Sequence, residues 1–347
     1  MAVLPRKRSP LLADLRELIS TAREGVARAV DCGLTSLYWH VGQRIRQDIL
    51  KEKRADYGVK IVASVGQKLE REFGRGFGEK SLRRMIQFTE VFPDRAIVVS
   101  LIRQLTWTHF IALIPIDDPV QRGFYAEMCR VERWSVRTLR QKIGAMLYER
   151  TALSRKPTKL AEMELRKLRQ DNELTPEMVF RDPYILDFLG LRDTYAEKDL
   201  EAAILREMES FLLEFGVGFC FVSRQQRMTI DDRDYYLDLL FYHRKLRRLI
   251  AIDLKLGRFE AGDKGQMELY LAWLKRYARE PGEGEPLGMI LCAGGSEEHI
   301  ALLELQKSGI HVARYWTDIL PKKDLERKLR EAVRLARARL ETAKSRA

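Results

Sequence analysis

Residues 235–255 read YYLDLLFYHRKLRRLIAIDLK, and this stretch constrains the fold more tightly than any other. Two apolar runs, 239–242 and 249–252, flank the basic turn His243-Arg244-Lys245-Leu246-Arg247-Arg248. Short runs rich in β-branched and aromatic residues, separated by a charged loop, predict a buried β-hairpin. Each run carries an acid where a core strand has no use for one: Asp238 between Leu237 and Leu239, and Asp253 at the end of the second run. Lys255 follows Asp253 by two residues, so both side chains leave the same face of the strand. Burying two carboxylates without partners costs several kcal/mol each. A divalent cation between them removes that cost, with Lys255 beside it.

An Asp-Leu-Lys triplet at a strand end is by itself most often a solvated terminus. Asp238 argues otherwise, because solvation does not explain an acid between two leucines in mid-strand. The surroundings add to this. Residues 199–215 predict a helix with Leu200, Ala203, Ile204, Met208, Phe211, Leu212 and Phe215 on one stripe. Residues 218–222 predict a short strand, 264–279 a helix and 287–292 a further strand, so the order is α-β-β-β-α-β.

That order, with an acid in the second strand and Asp-x-Lys closing the third, resembles the PD-(D/E)xK nuclease superfamily. The sequence is more closely similar to the YhcG-like family of bacterial proteins. In the C-terminal part the resemblance is carried by FLGLRDTYAEKDLEAAI, FLLEFGVGFCFVSRQQR, YYLDLLFYHR, IAIDLKLGRF and GMILCAGG; in the N-terminal part it is carried by LYWHVGQRI, FGRGFGEKSLRRMIQF and WSVRTLRQKI. Leu237 stands where the superfamily name has proline, at a position that varies widely. The resemblance implies an α+β multidomain protein. An all-α N-terminal domain with helix-turn-helix-like units would precede an α/β restriction-endonuclease-like (αβββαβ) domain. It further implies a metal-dependent DNA endonuclease, in DNA processing or in defence against foreign DNA. The alternative is a catalytically inactive DNA-binding or assembly protein that keeps the nuclease fold; a dead scaffold need not retain acids in its core.

Phosphodiester hydrolysis needs a metal that neutralises charge on the phosphate and lowers the pKa of an attacking water. Hard oxygen ligands suit Mg²⁺, with Mn²⁺ as a substitute. Asp238 and Asp253 are the expected ligands, and the superfamily resemblance adds the carbonyl of Leu254. Lys255 would orient or deprotonate the water or stabilise the transition state. Glu201, near the start of the preceding helix, matches the family's helical acid as a third ligand; Glu207, deeper in the helix, is the weaker choice. Gln266 matches a polar position beside the metal, and Tyr270 lies one turn further on the same face. Arg224 and Gln225, at the end of the first strand, are expected phosphate contacts, although a solvated loop explains them nearly as well. The GxxxxGK[ST] pattern is absent, so no nucleotide cofactor is called for. Gly294-Gly295-Ser296 is expected to cap a helix over 297–307.

Lys and Arg number 62 against 50 acids, a formal charge of +12 that favours polyanions such as DNA. Ten basic and four acidic residues fall in 321–347, so half the surplus lies in a basic tail whose Leu325, Leu329, Val333, Ala336 and Leu340 recur at helical spacing. No apolar run approaches a membrane span and no secretory segment follows Met1, so a cytoplasmic protein without membrane attachment is expected. The four cysteines, Cys32, Cys129, Cys220 and Cys292, lack CxxC spacing and suit buried small hydrophobes in a reducing compartment. A homodimer would let two active sites cut two strands; the composition does not decide the oligomeric state.

The N-terminal half reads as helices. Residues 11–32 place Leu12, Leu15, Ile19, Ala22, Val26 and Ala29 on one face, and Thr35 is expected to cap a second helix over 36–52. A helix over 58–73, the glycine-rich turn 74–78 and a helix over 81–92 form a helix-turn-helix pattern. Lys80, Arg83 and Arg84 near the start of its second helix are the expected DNA contacts. Helical hairpins outnumber DNA readers, and the nuclease-like segment on the same chain tips the balance. Helices over 105–114, 119–131 and 136–148 follow, the last capped by Ser135. The expected domains are 1–150, a linker 151–182, the nuclease domain 183–320 and the basic helix 321–347.

Overall fold

The computed structural model describes residues 10–51, 55–186, 189, 196–295, 300, 302–317, 327, 329–331 and 333–334. The chain divides into two compact units, residues 1–142 and 143–347. None of the described helices is long and apolar enough to cross a membrane.

The first unit is helical: α1 (Pro10–Lys51), α2 (Ala55–Phe73), α3 (Glu79–Val91), α4 (Arg95–Leu101), α5 (Trp107–Leu113), α6 (Pro119–Glu132) and the start of α7 (Val136–Gly144). Two expected helices over 11–32 and 36–52 are thus one, and Thr35 caps nothing. Thr35 is fully buried inside α1. The chain runs straight through because the half of α1 beyond it is held by packing. Tyr38, Val41 and Ile45 lie against a core of Val62, Leu82 and Met85. The glycine turn stands as expected: Gly74 has φ +90, which only glycine adopts freely, and Arg75–Phe77 make one 3₁₀ turn before α3. Ser135 also acts as expected, its Oγ accepting from the Thr138 backbone N–H. Helix α4, capped by the Asp94 carboxylate, was not legible from the apolar pattern.

Helices α1 and α3 touch backbone to backbone at Gly42. A Cβ there would stand 2.0 Å from the Met85 carbonyl oxygen. Gly42→Ala therefore forces the two helices apart and is expected to destabilise this unit by about 2 kcal/mol. A thermal melt that shifts by less than a degree would show that the contact yields.

The second unit begins with α8 (Leu147–Arg150), separated from α7 by the left-handed Met146, and continues with α9 (Thr158–Asp171) and α10 (Pro176–Val179). Next come β1 (Tyr184–Ile185), α11 (Glu197–Arg206), α12 (Met208–Phe215), β2 (Phe219–Ile230), β3 (Arg233–His243), β4 (Arg248–Arg258), α13 (Ala261–Tyr277), β5 (Leu287–Gly294) and β6 (Ile310–Trp316). The strands form one sheet in the order β1-β6-β5-β4-β3-β2. Strands β2, β3 and β4 are antiparallel; β4, β5, β6 and β1 are parallel. This restriction-endonuclease-like αβββαβ core follows the helical region, as the sequence implied.

Several boundaries differ. The short strand expected over 218–222 is 12 residues long, because Asp231 and Asp232, with φ +48 and +59, turn β2 into β3 through a tight hairpin. Arg224 and Gln225 consequently lie inside β2, an edge strand, and not at its end. Edge strands alternate polar and half-exposed residues, so β2 lacks the apolar run that marked β3 and β4. The helix expected over 199–215 is broken at Glu207, giving α11 and α12. Strands β1 and β6 complete the sheet on its far edge and were not anticipated. Of the cysteines, Cys129 and Cys292 are buried, but Cys220 is exposed on the β2 edge, contrary to the expectation of four buried thiols. The cap at 294–296 and helix over 297–307 fall largely outside the described residues; Leu305–Ser308 form a 3₁₀ turn. Most of the tail 321–347 also lies outside them, although Leu329 is buried.

The sheet is covered on both faces. Helix α13 lays Met267, Tyr270, Leu271 and Leu274 on one face, against Leu237, Ala251 and Ile290. On the other, Phe211 and Phe215 of α12 stack with Phe241 and Tyr184. Below α12 a buried ionic network joins Arg150, Arg181 and Glu214. Arg150 donates to the Glu214 carboxylate and, at 3.0 Å, to the Pro183 carbonyl. Glu214 also accepts from Arg181 at 3.3 Å and from the Ile185 backbone at 2.9 Å.

Candidate active site

The site arises where two strands part. Strands β3 and β4 pair from His243↔Arg248 to Leu239↔Ile252, and the pairing ends there. Beyond it β3 stays with β2, while β4 stays with β5 through Asp253↔Ile290, Leu254↔Leu291 and Lys255↔Cys292. Asp238 and Asp253 are the first residues past the split. The β4 edge that β3 abandons still presents backbone N–H groups, which need acceptors when buried. Asp238 accepts the Leu254 N–H at 2.8 Å, and Glu197, from the first turn of α11, accepts the Leu256 N–H at 3.2 Å. Side-chain carboxylates thus replace the missing strand, and this draws acids into the gap.

Asp253 is 4% exposed and lies 3.0 Å from the Lys255 Nζ. The expected shared face of the two residues is realised. Burial pushes the Asp253 carboxyl up to about 6; Lys255 opposes this, and the neighbouring Asp238 charge adds to it. Asp238 is also raised, chiefly by burial and also by Glu197, against the hydrogen bonds from Leu254 and Gln225. Burial pulls Lys255 down, but Asp253, Asp263 and Glu197 more than reverse it, leaving the ammonium held above its ordinary value. Lys255 also donates to Gln266 Oε1 at 3.4 Å. The Gln266 amide donates to the Tyr270 hydroxyl at 2.6 Å, which in turn donates to the Tyr236 carbonyl at 3.1 Å. The α13 residues named from sequence therefore sit beside Lys255, and Tyr270 anchors Gln266.

Glu201 reaches the pair through Gln225. The Gln225 amide donates to Glu201 at 2.7 Å and to Asp238 at 3.1 Å. To do so, Gln225 adopts φ +45, uncommon for a residue with a side chain. Its neighbours Arg224 and Gln226 pair normally with Leu239 and Leu237. Arg224 is exposed on the β2 edge, and Glu207 marks the break between α11 and α12. Sequence reasoning missed Glu197 and Asp263. The available signal for Glu197 was its place one helical turn before Glu201, on the same face. Asp263 caps α13 by accepting the Glu260 N–H, and its charge also bears on Asp253 and Lys255.

The donor set suits a hard divalent cation. Asp238 and Asp253 supply carboxylate oxygens whose burial disfavours their charge, so each gains from a nearby positive ion. Among the described residues, no three His, Cys, Asp or Glu side chains already converge on one ion position. Lys255 occupies Asp253, and the Gln225 amide fills the space between Glu201 and Asp238.

In the first unit, Lys80 is exposed and Arg84 half-buried at the start of α3. Arg83 is held by Glu79 at 2.7 Å, one turn back on the same helix. Lys80 and Arg83, with Arg75, Ser81 and Glu70, line a shallow cleft of about 410 Å³, which Arg84 does not reach.

Two family descriptions match the chain: the YhcG PDDEXK nuclease domain over residues 177–332 and the DUF1016 N-terminal domain over residues 14–150. YhcG of Escherichia coli (strain K12) is 33% identical over 320 residues, covering 83% of this chain and 84% of that protein. Solved structures are more distant. A repair endonuclease from Pyrococcus abyssi aligns at 20% identity and TM-score 0.26 over 38% of this chain and 50% of that one. An EndoMS–double-stranded DNA complex aligns at 17% identity and TM-score 0.28 over 38% and 48%. This chain thus spans about half the length of those structures, and likeness at that level carries no argument about substrate.

Proposed function

Since the chain belongs to the YhcG family, with a PDDEXK nuclease domain in its C-terminal part, we propose that it is a divalent-metal-dependent DNA endonuclease. The observation that carries this is the split between β3 and β4, which buries Asp238 and Asp253 together with Lys255 against Asp253. Asp238 and Asp253 would hold the cation, Mg²⁺ or in its place Mn²⁺, with Glu201 as a third ligand. A cation held there would neutralise charge on the scissile phosphate and acidify water. The Lys255 ammonium, seated against Asp253, is placed to act on the scissile phosphate or the attacking water. Gln266, fixed by Tyr270, keeps that ammonium aimed. The acids of α11, Glu197 and Glu201, close the site on the opposite side from α13. The protein acts in the cytoplasm, where its four cysteines, all free, stay reduced. DNA processing or defence against foreign DNA is the setting that the family suggests.

The direct test is cleavage of a panel of duplex, nicked, branched and single-stranded DNA with Mg²⁺ or Mn²⁺, with and without chelator. Chelator-sensitive cleavage is expected; binding without cleavage under every condition would favour the inactive assembly protein.

Duplex DNA binding is assigned to the first unit, through Lys80, Arg83 and Arg84. Each lost phosphate contact lowers the slope of log affinity against log salt by about one. A triple alanine variant should lose a slope of about two, not three, because Glu79 already engages Arg83. Unchanged affinity and slope would remove this surface from the interface.

A further inference from the structure

Independently of the nuclease chemistry, the first half of α1 carries a surface that nothing in the described chain covers. Every residue from Leu11 to Asp31 is exposed, with Leu18 at 67% and Val26 at 65%, whereas from Thr35 onward the same helix is packed. A helix with no packed face has only local propensity to hold it, and isolated helices are marginal in water. This one nevertheless carries an apolar stripe. Leu12, Leu15, Ile19, Ala22, Val26 and Ala29 alternate at spacings of three and four, a seven-residue repeat through three heptads. Leu12, Ile19 and Val26 are the a positions, and Leu15, Ala22 and Ala29 the d positions. Glu17, Glu24 and Asp31 fall at f, on the opposite, solvated side.

We propose that residues 11–31 pair in parallel with the same helix of a second copy of this chain, as a two-stranded coiled coil. Three features select that occupant. The period is 3.5 residues, which keeps the stripe facing another helix and not a sheet or groove. Ile19 and Val26 at a, with Leu15 at d, favour two strands. The flanking charges then decide the direction. In a parallel pair each g residue meets the partner's e residue five positions on. Leu11 and Leu18 thus lie under the aliphatic stems of the partner's Arg16 and the partner's Arg23, whose charged heads stay in water. An antiparallel pair would set Arg16 against the partner's Arg23, a like-charge contact.

The area fits a small interface. Seven large apolar side chains in this segment are close to half exposed or more. Together they offer roughly 400–600 Å² per copy before the arginine stems are counted, approaching the ~800 Å² that one partner gives to a standard interface. The C-terminal end of the coil also needs no separate nucleation, because the packed half of α1 that follows it already fixes the helix.

Light scattering on the full chain between about 1 and 100 μM reads the pairing, a range that brackets a typical weak-to-moderate association. Twice the chain mass is expected, falling to the chain mass for Ile19→Asp/Val26→Asp with the melting temperature unchanged. In a Cys220→Ser background, Ile19→Cys should cross-link to its own copy under mild oxidation, because a meets a only when the helices are parallel and in register. This second variant leaves the helix intact, so it tests the pairing even if the aspartates disturb folding. A wild-type chain that stays at its own mass throughout, a double aspartate variant that stays at twice that mass, or a dimer in which the cysteine variant does not cross-link each overturns the proposal.

Discussion

Asp253→Asn is expected to lower DNA cleavage by about 10³-fold or more while making the metal-free protein more stable. Asparagine keeps the shape and one hydrogen-bond acceptor but removes the charge that holds the cation and offsets Lys255. The stability effect has a definite pH window. The ordinary carboxyl titrates near 3.8 and the folded one at about 6. Below about pH 4 both are protonated, and the residue contributes no difference. Between about 4 and 6 the folded chain binds more protons than the unfolded one, so stability falls as pH rises. Above about 6 the full penalty stands, on the order of 3 kcal/mol for a shift of about two units. Asn removes that penalty, less what Lys255 loses with its partner, so a net gain of about 2 kcal/mol is expected at pH 8 and none at pH 4. Lys255→Ala should spare Mn²⁺ binding yet abolish turnover, separating the ligand from the group that acts on the phosphate. Calorimetric Mn²⁺ titration, denaturant melts in EDTA at the two pH values and cleavage assays on both variants supply the readout. Cleavage that survives Asp253→Asn would sink the assignment of this centre.

The largest purely structural effect is expected at Glu214. Its carboxylate is the shared partner of Arg150, which is 1% exposed, and of Arg181, which is also buried. Burial holds the Arg150 guanidinium below its ordinary pKa, and Glu214 opposes that shift without cancelling it. Glu214→Gln keeps an acceptor for the Ile185 N–H but leaves two buried cations without a counter-charge. Breaking such a group by removing one member costs about 3–5 kcal/mol. Equilibrium denaturation should show that loss at neutral pH, with the midpoint lowered and the slope retained. Replacing all three residues with apolar ones of similar size should recover much of it. A single Glu214→Gln loss below about 1 kcal/mol would mean that water reaches the network.

The contrast between these two residues also separates what the chain announces from what folding decides. Asp253 and Lys255 could be read from spacing, because a strand has a period of two and side chains two apart must share a face. Asp238 was legible as an acid inside an apolar run, Glu201 and Gln266 were found through resemblance to the family, and Tyr270 through its helical spacing from Gln266. The heptads of α1 and the glycine turn before α3 are equally local, and the sequence determined both. Nothing local identified Glu214, because its two arginines lie 33 and 64 positions away. Gln225 was named only as a phosphate contact, and Glu197 had only its place one turn before Glu201 to mark it; neither signal gave the role. Their roles depend on where β3 leaves β4, past Leu239↔Ile252. Thr35 was misread as a helix cap because hydroxyl residues favour caps on average; at this position α1 continues unbroken and Thr35 is buried. Side-chain period and charge pattern are properties of neighbours in the chain, so the sequence alone determined them. Which edge N–H groups lose their strand, and which carboxylate must replace it, depends on residues brought together from distant positions, and only the tertiary structure decided that.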